Sequence, residues 1–166
     1  MIRILGIDPG SRKAGVGIID VQGSRIRHVH HQLIRCGSGE FTERLGILFY
    51  ELSSIIAQYQ PTNAAIEDVF VSQNVSSALK LGQARGALIA ACCQANLNIG
   101  TYSPTAIKQA VVGTGRADKA QIQHMIKALL RPPLPLPEDA ADALAVCVCH
   151  AHHIPLQQRI RTPNTS

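Results

Sequence analysis

The sequence has no stretch that is long and apolar enough to span a membrane. Its longest uninterrupted apolar runs, Ala87–Cys93 and Ala143–Cys149, fall far short of the roughly 18 residues that a spanning helix requires. The opening residues, MIRILGIDPG, reach a charge and a Pro-Gly turn too early for a secretory signal. We therefore expect a soluble, unexported protein that resides in the cytoplasm.

A disulfide framework is also absent from the sequence. The five cysteines are an odd number and none is spaced as C-x-x-C. Four of them lie in the two apolar runs, so buried and reduced thiols are the better interpretation. Cys149 and His153 have an i, i+4 spacing that metal ligands use, but the cysteines belong to a predicted helix core, and no zinc site is expected.

Internal repeats are absent, which excludes solenoids and propellers. Hydrophobic residues make up 46% of the 166 residues, enough for the core of one domain and too many for a disordered chain. We predict a single domain over residues 1–154 and a flexible C-terminal tail over residues 155–166. The formal net charge of +5 favours a polyanionic partner without identifying one.

What the sequence contains is the pattern of an α/β domain. Five strands are predicted, at Arg3–Asp8, Val16–Val21, Arg25–Arg35, Ala64–Glu67 and Asn98–Tyr102. Five helices are predicted, along the apolar stripe from Leu45 to Tyr59, over Val75–Asn96, after the cap at Ser103–Pro104, after the capping box of Asp118 and Gln121, and over Glu138–His150. The first three strands follow one another through turns, whereas helices separate the later ones. This order predicts a mixed five-stranded sheet with helices on both faces.

Four acidic residues stand out in this arrangement. Asp8 and Glu67 each end a predicted strand, and the carboxyl ends of parallel strands meet at one edge of a sheet. Asp139 and Asp142 share one face of the last helix, which is otherwise apolar. Taken singly, Asp8 is also explained as a turn former and Asp139 as a partner of the helix dipole.

Together, the four acids indicate a metal site. Converging carboxylates repel one another unless cations hold them, and sets of oxygen ligands suit Mg²⁺ or Mn²⁺ better than zinc. Two such ions about 4 Å apart can activate water and stabilise a leaving oxygen in phosphodiester hydrolysis.

Several segments together resemble the RuvC family of Holliday junction resolvases. These are GIDPGS at 6–11, IEDVF at 66–70, ALKLGQARG at 78–86, IKQAVVGTGRADKAQIQHMI at 107–126 and DAADALA at 139–145. The likeness extends in order to about position 153. It implies a ribonuclease-H-like fold and a homodimeric endonuclease that nicks two strands of a four-way DNA junction symmetrically, leaving 5′-phosphate and 3′-hydroxyl ends. It also implies a partnership with the RuvA–RuvB branch-migration complex.

The same resemblance implies roles for individual residues. The catalytic acids that bind two Mg²⁺ or Mn²⁺ ions would be Asp8, Glu67, Asp139 and Asp142. Phe70 would stack on DNA bases, while Lys108 and Lys119 would engage the DNA. Arg116 is a looser candidate beside the Gly113–Gly115 loop, where glycines and cations can approach phosphates. Asp68, next to the catalytic glutamate, is given no catalytic role.

Rival interpretations remain open at the level of the sequence. A ribonuclease-H-like nuclease acting on structured RNA would use the same acids. An ATPase of the actin and sugar-kinase type would need two such domains, and a non-catalytic module that binds junctions would not need four acids. Gly82 and Gly86 fit either a helix at a dimer interface or tight packing within the domain.

Overall fold

A computed structural model describes residues 1–69 and 73–155. Its strands are β1 at Ile2–Asp8, β2 at Lys13–Gln22, β3 at Arg25–Arg35, β4 at Asn63–Glu67 and β5 at Asn98–Tyr102. Its helices are α1 at Phe41–Tyr59, α2 at Val75–Gln94, α3 at Pro104–Val112, α4 at Lys119–Leu130 and α5 at Glu138–His153. None of the helices in the described ranges is long and apolar enough to cross a bilayer.

The strands form one mixed sheet in the order β3-β2-β1-β4-β5. β1, β2 and β3 make an antiparallel meander, whereas β4 and β5 add to β1 in parallel. The predicted mixed five-stranded sheet is therefore confirmed. β2 begins at Lys13, three positions before the predicted start, because its ladder with β3 continues to the pair Lys13 and Arg35.

Helices cover both faces of the sheet, as predicted. Along β1 the buried side chains alternate, so that Ile4 packs with α3, α4 and α5 while Leu5 packs with α1 and α2. We call these the α5 face and the α1–α2 face. α5 is buried along most of its length, which explains why it carries a long apolar run without being a membrane helix.

Glycines in β1 and β2 let α5 approach the sheet closely. A Cβ atom added at Gly6 would lie 2.2 Å from the Ala143 carbonyl oxygen. One added at Gly15 would lie 1.9 Å from the Asp139 carbonyl oxygen. Because neither position has room for a side chain, the backbone of α5 rests directly on the two strands and fixes the height of Asp139 above them.

The starts of α3 and α4 have the predicted caps. The Ser103 hydroxyl accepts a hydrogen bond from the Ala106 amide, and Asp118 and Gln121 form a reciprocal capping box. α2 ends at Gln94, two residues before the predicted end, and Asn96 takes a left-handed backbone conformation in the turn that follows. α5 continues to His153, and Ile154 after it is still part of the core on the α5 face.

Candidate active site

The strand ends bring Asp8 and Glu67 to the α5 face of the sheet. In β1, Gly6 contacts α5, so side-chain alternation turns Asp8 to the same face. In β4, Ala65 belongs to the core on that face, and Glu67 follows two positions later. The parallel ladder pairs Ile7 with Ile66, one residue before each acid. The two acids therefore lie side by side at the carboxyl edge of the sheet.

The first turn of α5 adds Asp139 and Asp142 from above the sheet. One carboxylate oxygen from each of Asp8, Asp139 and Asp142 lies within 4.8 Å of the others. Glu67 is outside this close group but lines the same cleft, whose volume is about 510 Å³. The structure thus brings together all four acids that the sequence singled out.

Burial and mutual repulsion disfavour the ionised form of these acids. Burial, reinforced by the negative charges of Asp142, Glu67 and Asp139, raises the pKa of Asp8 to about 8. Burial and the charge of Asp142 also raise the pKa of Glu67, against the opposing effect of Lys108 and Lys119. The pKa of Asp142 is likewise raised by burial, and Lys119 partly offsets it. The cluster is therefore short of positive charge.

Two lysines act as counter-ions of the cluster. The Lys119 ammonium, at the start of α4, bridges Glu138 and Asp142, and its Nζ lies 3.5 Å from Asp142 Oδ2. The Lys13 Nζ lies 2.7 Å from Asp139 Oδ2. That oxygen is buried and accepts no hydrogen bond of suitable angle, so we regard the Lys13 contact as an ion pair only.

The donor set fits a divalent cation. All of its ligand atoms are carboxylate oxygens, the type that Mg²⁺ and Mn²⁺ prefer. The oxygens of Asp8, Asp139 and Asp142 are already close enough to share an ion, and Asp139 Oδ2 has no hydrogen-bond donor. A buried cation would also relieve the repulsion that raises the pKa of Asp8. The cluster thus indicates divalent metal binding.

The candidate DNA-binding residues have different positions. Lys108 and Lys119 line the cleft together with the acids. Arg116 is exposed and is not one of the residues that line the cleft. Phe70 lies outside the described residues. Of the candidates that the structure describes, Lys108 and Lys119 therefore lie beside the acids and Arg116 does not.

Three residues near the acids were not predicted from the sequence. Lys13 pairs with Asp139, Glu138 pairs with Lys119, and Arg85 of α2 donates to the Glu67 carbonyl oxygen at the end of β4. For Asp142, the sequence offered no cation within one helical turn, because its partner Lys119 comes from α4. Of these three residues, only Glu138 could have been predicted from the sequence to lie near the site, because it precedes Asp139. The other contacts join elements that are far apart in the chain.

The cysteines of α5 are core residues, as predicted, whereas His152 and His153 at its end are exposed. Cys147 and Cys149 are fully buried, and burial raises the pKa of Cys149 to about 11. His150 contacts Asn63 and Tyr102, while His153 contacts the Cys149 carbonyl oxygen. Within residues 1–69 and 73–155, the carboxylates of Asp8, Asp139 and Asp142 are the one group placed to hold a metal ion.

The fold and the site define an α/β protein that holds a divalent-cation site at the carboxyl edge of its sheet. The sequence model of the family "Crossover junction endodeoxyribonuclease RuvC" matches residues 4–150. The RuvC endonuclease of Citrifermentans bemidjiense is 59% identical over 150 residues, which are 90% of this chain and 92% of that protein. That of Alkalilimnicola ehrlichii is 52% identical over 161 residues, covering 97% and 98%. The chain belongs to the RuvC family of nucleases.

Solved structures agree with this assignment. Thermus thermophilus RuvC in complex with a Holliday junction substrate superposes with a TM-score of 0.86 at 29% identity, covering 92% of this chain and 94% of that one. The yeast mitochondrial Holliday junction resolvase Ydc2 has a TM-score of 0.68 at 11% identity, covering 95% and 81%, and shares the fold. The ribonuclease-H-like fold that the resemblance implied is confirmed.

Proposed function

We propose that this protein resolves four-way DNA junctions by symmetric, metal-dependent nicking during homologous recombination and DNA repair. The observation that carries the proposal is the meeting of Asp8, Glu67, Asp139 and Asp142 in one cleft with Lys108 and Lys119. The names of the relatives agree with it, since they are crossover junction endodeoxyribonucleases.

The four acids would hold a pair of Mg²⁺ ions, for which Mn²⁺ could substitute. When bound, such ions supply an activated water and stabilise the leaving oxygen of a phosphodiester, giving 5′-phosphate and 3′-hydroxyl ends. The protein's own contribution is geometric. The glycines under α5 fix Asp139 relative to Asp8, so the acids are in place before substrate arrives.

The lysines of the cleft would bind the phosphates of the DNA. Lys108 and Lys119 lie beside the acids, so a backbone phosphate that reaches the acids also reaches both ammonium groups. We propose that the exposed Arg116 contacts a DNA phosphate outside the cleft. We keep Phe70 as a residue that stacks on bases, worth about 1–3 kcal/mol for each stacked base.

The proposed enzyme is a homodimer, which would present two active sites to a junction of matching symmetry. α2 supports this proposal with an exposed stripe that repeats at intervals of three and four residues. The stripe consists of Val75, Leu79, Gly82, Gly86, Ala90 and Cys93. Val75 and Leu79 are 66% and 65% exposed, large values for apolar side chains. A second copy of α2 would cover this stripe.

Leu79→Asp tests the dimer. We expect the variant to be monomeric in light scattering after size exclusion and to lose paired nicking. Leu134→Arg, at an apolar residue that is 76% exposed outside the stripe, is the matched control and should remain dimeric. We further propose that the dimer works in the cytoplasm beside the RuvA–RuvB complex.

Cleavage of a synthetic four-way junction, beside a linear duplex of the same sequence, tests the activity. The protein and its Asp8→Asn variant are incubated with Mg²⁺, with Ca²⁺ and with EDTA. Paired nicks on the junction alone, dependent on Mg²⁺ and absent from the variant, support the proposal. Tight junction binding without cleavage would favour a binding module. Equal treatment of junction and duplex would contradict the proposal and make structured RNA the next substrate to test.

A further inference from the structure

We propose that Arg85 is a positioning residue that holds Glu67 at the metal site by fixing the peptide that follows it. The inference rests on the proposed nuclease function. Arg85 lies on α2, on the opposite face of the sheet from the cleft, and it is not one of the residues that line the cleft. Its effect on the site must therefore pass through the backbone of β4.

One edge of the Arg85 guanidinium spans two consecutive residues. Its Nε donates to the Glu67 carbonyl oxygen at 3.1 Å, and its Nη2 donates to Asp68 Oδ1 at 3.0 Å. Nε and Nη2 lie on one edge of a rigid planar group, so the two hydrogen bonds fix both the distance and the angle of this peptide. The Arg85 side chain is only 19% exposed, which restricts its own movement.

Glu67 needs such support because it lies where the sheet ends. The ladder between β1 and β4 stops at the pair Ile7 and Ile66. On the other side, the Asp68 amide still donates to the Tyr102 carbonyl oxygen of β5 at 2.8 Å. Beyond Ile66, β4 is therefore hydrogen-bonded to β5 on one side. On the other side, Arg85 supplies a hydrogen bond where β1 no longer pairs with β4.

The negative charge of the cleft explains why Glu67 requires the support of Arg85. Glu67 lines the same cleft as Asp8, Asp139 and Asp142, so the carboxylates repel one another when no cation lies between them. A fixed backbone limits how far this repulsion can displace Glu67. The positive charge of Arg85 is itself paired with the Asp68 carboxylate, so Arg85 has its partners within the domain and is not poised for a phosphate.

Four substitutions test the proposal, at Arg85 and at its partner. We expect Arg85→Gln to reduce Mn²⁺ affinity, measured by calorimetry without DNA, and the single-turnover cleavage rate by about 10–100-fold. Junction affinity in Ca²⁺ should remain unchanged. Arg85→Lys should lie in between, because one ammonium group cannot reproduce the planar fork. Asp68→Asn keeps the acceptor Oδ1 and should behave as wild type, whereas Asp68→Ala should show a smaller loss than Arg85→Gln.

The controls are the melting temperature and the oligomeric state, since Arg85 shares α2 with the proposed dimer stripe. If Arg85→Gln does not fold, the Asp68 pair carries the test, because the half-exposed Asp68 tolerates substitution. Wild-type rates and Mn²⁺ affinities in both Arg85→Gln and Asp68→Ala would overturn the proposal. So would a loss of junction affinity with unchanged Mn²⁺ binding, which would make Arg85 a DNA contact.

Glu67→Gln separates this inference from the function on which it rests. If Glu67→Gln is inactive while Arg85→Gln cleaves normally, only the role of Arg85 is wrong. If Glu67→Gln itself cleaves at the wild-type rate, the role of Glu67 fails, and the positioning role of Arg85 fails with it.

Discussion

Strands β1 and β2 hold a carboxylate near each end, and the two carboxylates have opposite environments. At one end Asp20 pairs across the strands with Arg3, whose Nε lies 2.8 Å from its Oδ1, and Arg27 adds a second contact at 3.2 Å. These arginines hold the pKa of Asp20 below its usual value, in spite of burial. At the other end Asp8 pairs with Gly15, which offers no charge.

The residue paired across the strands therefore determines the role of each acid. An arginine makes the acid a structural residue that stabilises the fold when ionised. A glycine admits the start of α5 and its two further acids, and burial together with the nearby negative charges raises the pKa of Asp8 to about 8. The acidic end of the sheet is therefore less stable without metal, and its carboxylates can bind a cation.

The largest expected difference between Asp8 and Asp20 is in cleavage activity. We expect Asp8→Asn to slow junction cleavage in Mg²⁺ by roughly 10²–10³-fold or more, because it removes a ligand of the metal site. Asp20→Asn should cleave at the wild-type rate below its melting temperature. Single-turnover assays on a four-way junction measure both. A comparable loss in Asp20→Asn would mean that the two ends are not functionally distinct.

Stability should change in the reverse direction. Asp20→Asn leaves Arg3 without its charged partner, and we expect a loss of about 2–4 kcal/mol in the free energy of unfolding. Asp8→Asn should raise the melting temperature in EDTA, since it removes a repelled carboxylate. Added Mg²⁺ should stabilise the wild type and leave Asp8→Asn nearly unchanged. Chemical denaturation with and without Mg²⁺ provides the check, and destabilisation of metal-free Asp8→Asn would contradict this account.

The dependence of stability on pH should also differ between the ends. Folded Asp8 keeps its proton up to about pH 8, whereas the unfolded chain releases it near pH 4, so metal-free wild type loses stability between these values, by up to about 1.4 kcal/mol for each pH unit. Asp8→Asn should show a shallower decline, because Glu67 and Asp142, whose pKa values are also raised, still contribute to it. The contribution of Asp20, with its lowered pKa, is present above pH 4 and lost as the pH falls further. Melting curves in EDTA from pH 3 to pH 9 separate the two, and parallel curves for Asp8→Asn and wild type would be the contrary result.

Gly15→Ala tests whether the close approach of α5 determines the geometry of the acids at the Asp8 end of the sheet. The new Cβ would lie 1.9 Å from the Asp139 carbonyl oxygen, so α5 must move, and we expect a loss of roughly 1–3 kcal/mol together with weaker Mn²⁺ binding. Gly46→Ala in α1 is the control, because its nearest neighbour is 3.9 Å away and alanine favours helices. Equal melting temperatures and metal affinities for the two variants would show that the approach of α5 is not limiting.

Lys13→Gln should have the smallest effect. Lys13 competes with a metal ion for Asp139 Oδ2, so its removal should raise Mn²⁺ affinity without DNA by about twofold to fivefold. Arg25→Gln, at an exposed residue of β3, is a charge-matched control and should leave Mn²⁺ affinity unchanged. Calorimetry distinguishes them. Weaker metal binding in Lys13→Gln would show that the lysine orients Asp139 instead of competing for it.

The sequence was informative wherever a property depends on near neighbours. Strand alternation and the parallel crossover placed Asp8 and Glu67 at one edge, and helical spacing placed Asp139 and Asp142 on one face. The sequence did not reveal that Lys119 is the counter-ion of Asp142 or that Arg85 reaches Glu67. These contacts join separate elements, and their geometry depends on how closely α2, α4 and α5 pack on the sheet.

The lysine counter-ions have a consequence for the thermodynamics of DNA binding. In the metal-free protein, Lys13 and Lys119 are already neutralised by Asp139, Asp142 and Glu138, and so are poorly available to phosphates. A metal ion that binds Asp139 and Asp142 leaves the Lys13 ammonium to the DNA, whereas Lys119 keeps Glu138 as a partner until a phosphate replaces it. The slope of log affinity against log salt concentration should then become steeper by about 0.9 for each lysine transferred. Affinities measured in EDTA would understate how strongly salt controls the working enzyme.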